Sequence, residues 1–158
     1  MNSEIEFGVK IKNSQEVMNF LDELCGGLRK VIEIKRRIFR KLGSEFFFRL
    51  SKENVNGNLA YTLSLKEDIL SKGISEGLKV SKEIDIKIGR HQVRSFRKII
   101  SLLGYKLETK LSKTRYVYKI SEVLITVDKY PTVSYLEVEG KSKSSVMEIA
   151  GKIPYKKL

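Results

Sequence analysis

Three pairs of carboxylates, each flanking one apolar residue, stand far apart in the chain: Glu4-Ile5-Glu6, Glu83-Ile84-Asp85 and Glu137-Val138-Glu139. On an extended backbone residues i and i+2 point to the same side, so both carboxylates of each pair share a face. Three such pairs brought together would repel unless cations sat among them, whether metal ions, Lys and Arg, or both. Carboxylate oxygens suit hard divalent cations such as Mg2+ or Mn2+. Arginine forks and lysine ammonium groups suit phosphate oxygens. A sheet face that mixes both signs of charge can therefore hold a metal ion and a phosphate-bearing anion together, although an ordinary solvated strand face is polar too.

The elements that must carry these residues are legible as alternation at period 2, the mark of strands with one apolar and one polar face. Residues 4–12 alternate without a break, with Glu4, Glu6, Gly8, Lys10 and Lys12 against Ile5, Phe7, Val9 and Ile11. Residues 78–88 set Lys79, Ser81, Glu83, Asp85 and Lys87 against Val80, Lys82, Ile84, Ile86 and Ile88. Three shorter runs follow. Residues 113–119 place Lys113, Arg115 and Lys119 opposite Tyr116 and Tyr118, residues 124–128 separate Thr126 and Asp128 from Ile125 and Val127, and residues 135–139 separate Glu137 and Glu139 from Leu136 and Val138. Strands are also predicted over 31–38, 45–50 and 60–66, the last two joined by an Asn-Gly turn at 54–58 that puts Arg49 and Lys66 on neighbouring antiparallel strands.

Helical spacing appears at Val17, Phe20, Leu21, Leu24 and Leu28, after Asn13 and Glu16 in a pattern like a capping box. It recurs at Val93, Phe96, Ile100 and Leu103, which Gly104 terminates. Ser145 with Glu148 predicts a short capped helix stopped near Pro154. Residues 67–77 read as a polar, mobile connection.

At 158 residues and 41% hydrophobic, the chain is sized for one domain with a real core. It carries 31 Lys+Arg against 19 Asp+Glu, a net charge of +12 that favours polyanions. The single cysteine, Cys25, excludes an internal disulfide framework and reads as a structural thiol at a helix end. The single histidine, His91, removes His-cluster zinc sites and reads as a solvated residue before a helix. No apolar run approaches the length of a membrane span, so a soluble cytoplasmic protein with no membrane partner is expected. No recognised nucleic-acid motif is present, so nucleic acid stays a possible partner that is not favoured.

The order Arg115, then V-x-I-x-V-D-like character ending at Asp128, then L-E-V-E-G at residues 136–140, with E-x-E opening the chain, resembles the CYTH superfamily, the triphosphate tunnel metalloenzymes. These include class IV adenylate cyclases, thiamine triphosphatases and inorganic triphosphatases. The resemblance implies a single domain over residues 1–158, of α+β class: an antiparallel closed β-barrel of about eight strands, with a charged interior and a few flanking helices. It implies Glu4, Glu6, Glu137 and Glu139 as ligands of Mg2+ or Mn2+, and Arg49, Lys66, Lys87, Lys113 and Arg115 as phosphate clamps. Lys10 and Asp128 become the catalytic candidates, and Glu83 and Asp85 supporting acids. The activity implied is metal-dependent hydrolysis of a triphosphate; the alternatives are a class IV adenylate cyclase, with Phe47 as a stacking candidate, or a non-catalytic polyphosphate, nucleotide or nucleic-acid binding module. Two departures stand out. The family's E-x-E-x-K has Gly8 in place of its lysine, with Lys10 one strand repeat later, and Phe47 stands where a second arginine is usual beside Arg49.

Overall fold

The computed structural model describes residues 2–27, 29–67 and 77–158, and for residues 2–4 and 81 the backbone alone. Its elements in chain order are β1 (Asn2–Ile11), α1 (Ser14–Leu24), β2 (Lys30–Arg40), β3 (Phe46–Val55), β4 (Asn58–Glu67), β5 (Leu78–Ile88), α2 (Val93–Leu102), β6 (Lys106–Ile120), β7 (Val123–Lys129), β8 (Ser134–Gly140) and α3 (Lys143–Lys152). The class is α+β, and every strand pair of known register is antiparallel. The chain divides into two compact units.

The central unit contains residues 33–67 and 81–112. Its strands run in the order β5-β4-β3-β2-β6. One face is apolar because Phe39, Leu50, Leu63 and Ile88 fall on it, and Ile100 of α2 packs into that cluster. The β3-β4 hairpin turns through Asn56 (φ 52°) and Gly57 (φ 87°). Both are left-handed, as the Asn-Gly signal demands, and Asn54 Oδ1 accepts from the Gly57 N–H at 2.9 Å.

The terminal unit contains residues 3–27, 29–32, 77–80 and 113–158, with strands in the order β6-β7-β8-β1-β5. Ile125, Val127, Leu136 and Val138, the apolar sides of β7 and β8, are completely buried with Val17 and Leu21 of α1 and Val146 of α3. Each such side chain contributes about 1.5–3 kcal/mol by leaving water. That burial fixes the register, since a slip of one residue would turn Thr126, Asp128, Glu137 and Glu139 into the core.

Within neither unit do the strands close into the barrel that the resemblance implied; each unit holds an open set of antiparallel strands. Other expectations also change. β6 is 15 residues long, because its first half, exposed and of mixed polarity, pairs beside β2 without needing an apolar face. On β5, Ile84 and Ile86 stay exposed. The predicted connection at 67–77 lies mostly outside the described residues, as does Leu28. The cap of α3 is Ser142, whose hydroxyl accepts from the Ser145 N–H at 3.1 Å. Cys25 ends α1 half-buried, and burial pushes its thiol up from the ordinary range.

Asn13 precedes α1, but its side chain bonds no helix N–H. Its Nδ2 donates to Glu16 Oε2 and to the Pro154 carbonyl, and its Oδ1 accepts from the Lys156 N–H, each at 2.8 Å. It ties the C-terminal tail to the end of β1, where the Lys12 N–H also donates to the Lys156 carbonyl at 2.9 Å. Asn13→Ala is accordingly expected to cost about 1–2 kcal/mol in urea unfolding. A loss no larger than that of a surface substitution would show that the tail does not depend on Asn13.

Candidate functional site

Strand register places the charged residues of the terminal unit in cross-strand rows. One row is Arg115, Asp128, Tyr135 and Lys10; the next is Val117, Thr126, Glu137 and Gly8; the third is Lys119, Leu124, Glu139 and Glu6. Asp128 lies at the centre with no solvent exposure. Its Oδ1 accepts from Arg115 Nε and its Oδ2 from Arg115 Nη2, both at 2.6 Å. Lys113, also buried, donates to Oδ2 as well. Arg115 Nη2 continues to Glu137 Oε2 at 2.8 Å, and the Thr126 hydroxyl donates to the same oxygen at 3.3 Å. The guanidinium is thus gripped at Nε and Nη2, while its Nη1 stands outside these bonds.

Electrostatics follow from that geometry. Burial alone would raise the Asp128 carboxyl, but the hydrogen bonds and charges of Arg115 and Lys113 outweigh it and hold the group below the ordinary carboxylate range. Burial alone would likewise lower Arg115, and the hydrogen bond and charge of Asp128, with the charge of Glu137, raise it instead. Arg115 stays cationic at any accessible pH. An aromatic pair borders the cluster: Tyr130 and Tyr135 meet edge to face with centroids 5.6 Å apart. Lys10 Nζ sits 5.8 Å from the Tyr135 ring centroid and Lys113 Nζ 5.5 Å from that of Tyr130.

Glu6 and Glu139 are register partners across β1 and β8, and Glu137 faces Gly8 one row on. Like charges directly opposed across strands are destabilising. Their all-oxygen donor chemistry fits a hard divalent cation. Among the described residues no three carboxylate, His or Cys side chains are gathered closely enough to hold a metal by themselves, and the Glu4 side chain lies outside them. A Cβ on Gly8 would stand 3.3 Å from Glu6 Oε1, the far end of a flexible side chain.

The central unit holds the remaining candidates in rows of its own. Ile38, Arg49, Ser64 and Asp85 form one, and Arg36, Ser51, Thr62 and Lys87 the next. Phe47, Lys66 and Glu83 make a third. Glu83 accepts from Arg49 Nη2, and its other oxygen lies 3.6 Å from Lys66 Nζ. Asp85 accepts from the buried Ser64 hydroxyl. The Arg49 Nε is buried with no acceptor among the described residues. Lys87 is exposed in the row of Thr62.

Sequence reasoning missed Arg36 and Arg40. Arg36 shares a row with Ser51 and donates to its hydroxyl at 3.1 Å. Arg40 lays its guanidinium over Phe47, 4.4 Å from the ring centroid. Its Nε donates to Glu108 Oε2 at 2.9 Å. A period-2 reading hides both, since Ile32, Ile34, Arg36, Ile38 and Arg40 share one parity and mix apolar with basic residues. Tyr130, Tyr135 and Thr126 were missed as well, and only register reveals them.

Neither the protein-family models nor the curated proteins compared with the sequence give a match. Solved structures do. The PH1819 protein of Pyrococcus horikoshii OT3 superposes with a TM-score of 0.77 at 22% identity, over 98% of this chain and 92% of that one. HpAC1 of Hippeastrum, described as an adenylyl cyclase candidate that reveals a dominant triphosphatase activity, matches with a TM-score of 0.69 at 16% identity, over 98% and 90%. A chain of the Schizosaccharomyces pombe Mediator head module matches with a TM-score of 0.75 at 11% identity, over 99% of both. These likenesses show the fold. Its bearers include the kinds of protein that the resemblance to the triphosphate tunnel metalloenzymes named, adenylate cyclase candidates and a triphosphatase.

Proposed function

We propose that the protein binds the phosphate chain of a triphosphate and hydrolyses its terminal anhydride. The observation that supports this most is Arg115, fixed by Asp128 and Glu137 through Nε and Nη2 with its Nη1 edge outside those bonds. A guanidinium so held is pre-oriented for a phosphate oxygen and loses little freedom on binding. Lys10, on the strand row of Arg115 and Asp128, adds a point charge. The likeness to HpAC1 supports hydrolysis over cyclisation. So does the position of Phe47, whose ring carries Arg40 rather than standing open for an adenine.

Glu6 and Glu139, with Glu4 by resemblance, are the residues to hold Mg2+ or Mn2+, which would neutralise phosphate charge when bound; Glu137, which the resemblance groups with them, is assigned to the water instead. Asp128 acts by holding Arg115 and Lys113: both its oxygens are engaged, so it is a positioning residue. Glu137 uses Oε2 for Arg115 and Thr126. Its Oε1 is the acceptor we assign to the attacking water. The water oxygen bonds to the terminal phosphorus, the bridging P–O bond breaks, and orthophosphate leaves from the shortened chain while the water proton passes to Glu137. Fixed charges that meet developing charge on the phosphoryl oxygens supply most of the rate.

The test is product analysis by ion chromatography after incubation with inorganic triphosphate and with ATP, in Mg2+ or Mn2+. Orthophosphate is the expected product, and cyclic AMP with pyrophosphate would replace the hydrolase by a cyclase. Metal-dependent binding without turnover would make the site a triphosphate-binding module, a reading that Gly8 favours. Gly8→Lys separates the cases. Its side chain enters the row of Glu137, where one charge-assisted hydrogen bond is worth about 1.5–3 kcal/mol, so KM for triphosphate is expected to fall about tenfold. An unchanged KM would show that Lys10 already serves that phosphate.

A further inference from the structure

We propose that one end of the central unit docks on an anionic lipid surface. Two turns meet there. Lys41, at the start of the β2-β3 turn, donates from Nζ to the carbonyl of Leu103 at the end of α2, at 3.2 Å. Ser44, closing the same turn, shares a hydrogen bond of 3.0 Å with the hydroxyl of Tyr105, the residue before β6. Around this junction large aliphatic side chains point into water. Leu42 at the tip of the turn is wholly exposed (102%), and Leu102 nearly so (78%). Ile99, Leu103 and Leu107 are exposed beside them. The apolar face of α2 is already satisfied by Ile100 against the sheet, so these residues are surplus to the core. Single exposed leucines need no explanation, but several on two abutting turns mark an interaction site.

Cations border the patch. Between α2 and β6 lies a cavity of about 600 Å3 lined by Arg94, Arg97, Lys98 and Lys106 with Ser101 and Tyr105, and by no carboxylate among the described residues. Arg94, Arg97 and Lys98 lie three and four residues apart on one helical face, where like charges repel. An anion relieves that repulsion, and the cavity has room for a phosphate headgroup. Protein interfaces are depleted in lysine and favour aromatic anchors. Here the pairing is aliphatic tips with Lys41, Lys98 and Lys106, whose stems can lie along acyl chains while the ammonium groups stay at the headgroups. That combination fits a bilayer whose surface is negative, where each nearby cation adds attraction and each inserted leucine adds apolar burial. No described helix is long and apolar enough to cross a membrane, so the contact proposed is peripheral. It does not depend on the catalytic reading, since none of its residues belongs to the candidate site.

The experiment is co-sedimentation of the whole protein with sucrose-loaded vesicles of phosphatidylcholine alone and of phosphatidylcholine with 30% phosphatidylserine (roughly a PS-rich surface). Binding to the anionic vesicles that falls as salt rises is expected. Leu42→Asp with Leu102→Asp should lower the partition coefficient at least about tenfold, and Lys98→Glu with Lys106→Glu by a similar factor. Ile86→Asp, an exposed apolar position on β5, should leave binding unchanged. Circular dichroism melts check that each variant is folded. Equal binding by the Leu variant would reduce the effect to bulk charge and overturn docking by this end. Failure to bind anionic vesicles would overturn it too, as would a dimer that the Leu variant dissolves, or single-stranded nucleic acid bound in place of vesicles.

Discussion

Asp128→Ala is expected to destabilise the fold by about 3–5 kcal/mol, the range for removing one partner of a buried ion pair. The substitution removes the buried carboxylate at which two cations, Lys113 and Arg115, are held. Arg115 retains Glu137, half-exposed, as a partner. Lys113 loses that ion pair and stays over the face of Tyr130. Urea unfolding of the variant measures the loss, and Lys113→Met in the same background should restore part of it, because one of the two cations that Asp128 neutralised is then gone. A loss below about 1 kcal/mol, the value of an exposed ion pair, would show that the cluster is solvated rather than buried.

The pH dependence of that term has a definite sign. The folded protein holds the Asp128 carboxyl below the ordinary range, so the unfolded chain takes up its proton first as pH falls. The stabilisation is complete above the unfolded value, about 3.9, erodes as pH drops below it, and is lost through the lower, folded value. The gap in stability between the wild type and Asp128→Asn should therefore be constant near neutrality and narrow in acid. A gap that widened on acidification would mean that Asp128 is held protonated.

The sequence made the strands and their polarity legible where alternation was clean. The apolar sides of β7 and β8 are buried as their period requires, and Arg115, Asp128 and Glu137 meet on the opposite face. What alternation does not encode is which residue stands across from which. Glu6 opposite Glu139, and Glu137 opposite Gly8, are matters of register. The surroundings of Asp128 were illegible for a related reason: a carboxylate in a charged face reads as a candidate for metal or water, and its complete burial with both oxygens engaged is a matter of packing and register. β2 was harder still, because its parity mixes isoleucines with Arg36 and Arg40. The first half of β6 has no apolar side to betray it. Asn13 illustrates a further limit, since the pattern of a local cap gave the right residue and its bond to Glu16, but its other two partners lie more than 140 positions away, in the tail.

Arg115→Lys is expected to lower triphosphate hydrolysis about 10²–10³-fold, the cost of removing one preorganised donor from a developing anion, with much less effect on stability. Lysine keeps the positive charge beside Asp128, so the buried carboxylate remains paired. It lacks the fork that lets Arg115 hold Asp128 through Nε and Nη2, reach Glu137 through Nη2, and still present Nη1. The loss should fall mainly on kcat if the contact tightens in the transition state, and on KM if ground state and transition state are gripped alike. Glu137→Gln is the companion variant. It keeps an oxygen for Arg115 but abolishes the acceptor for the water proton, so hydrolysis should fall by about 10²–10⁴-fold, as for loss of a general base, while binding of a non-hydrolysable triphosphate in metal persists. If Arg115→Lys hydrolysed triphosphate at the wild-type rate, the phosphate would have to be held by other cations, and the Asp128-Arg115-Glu137 chain would be a structural ion-pair network alone.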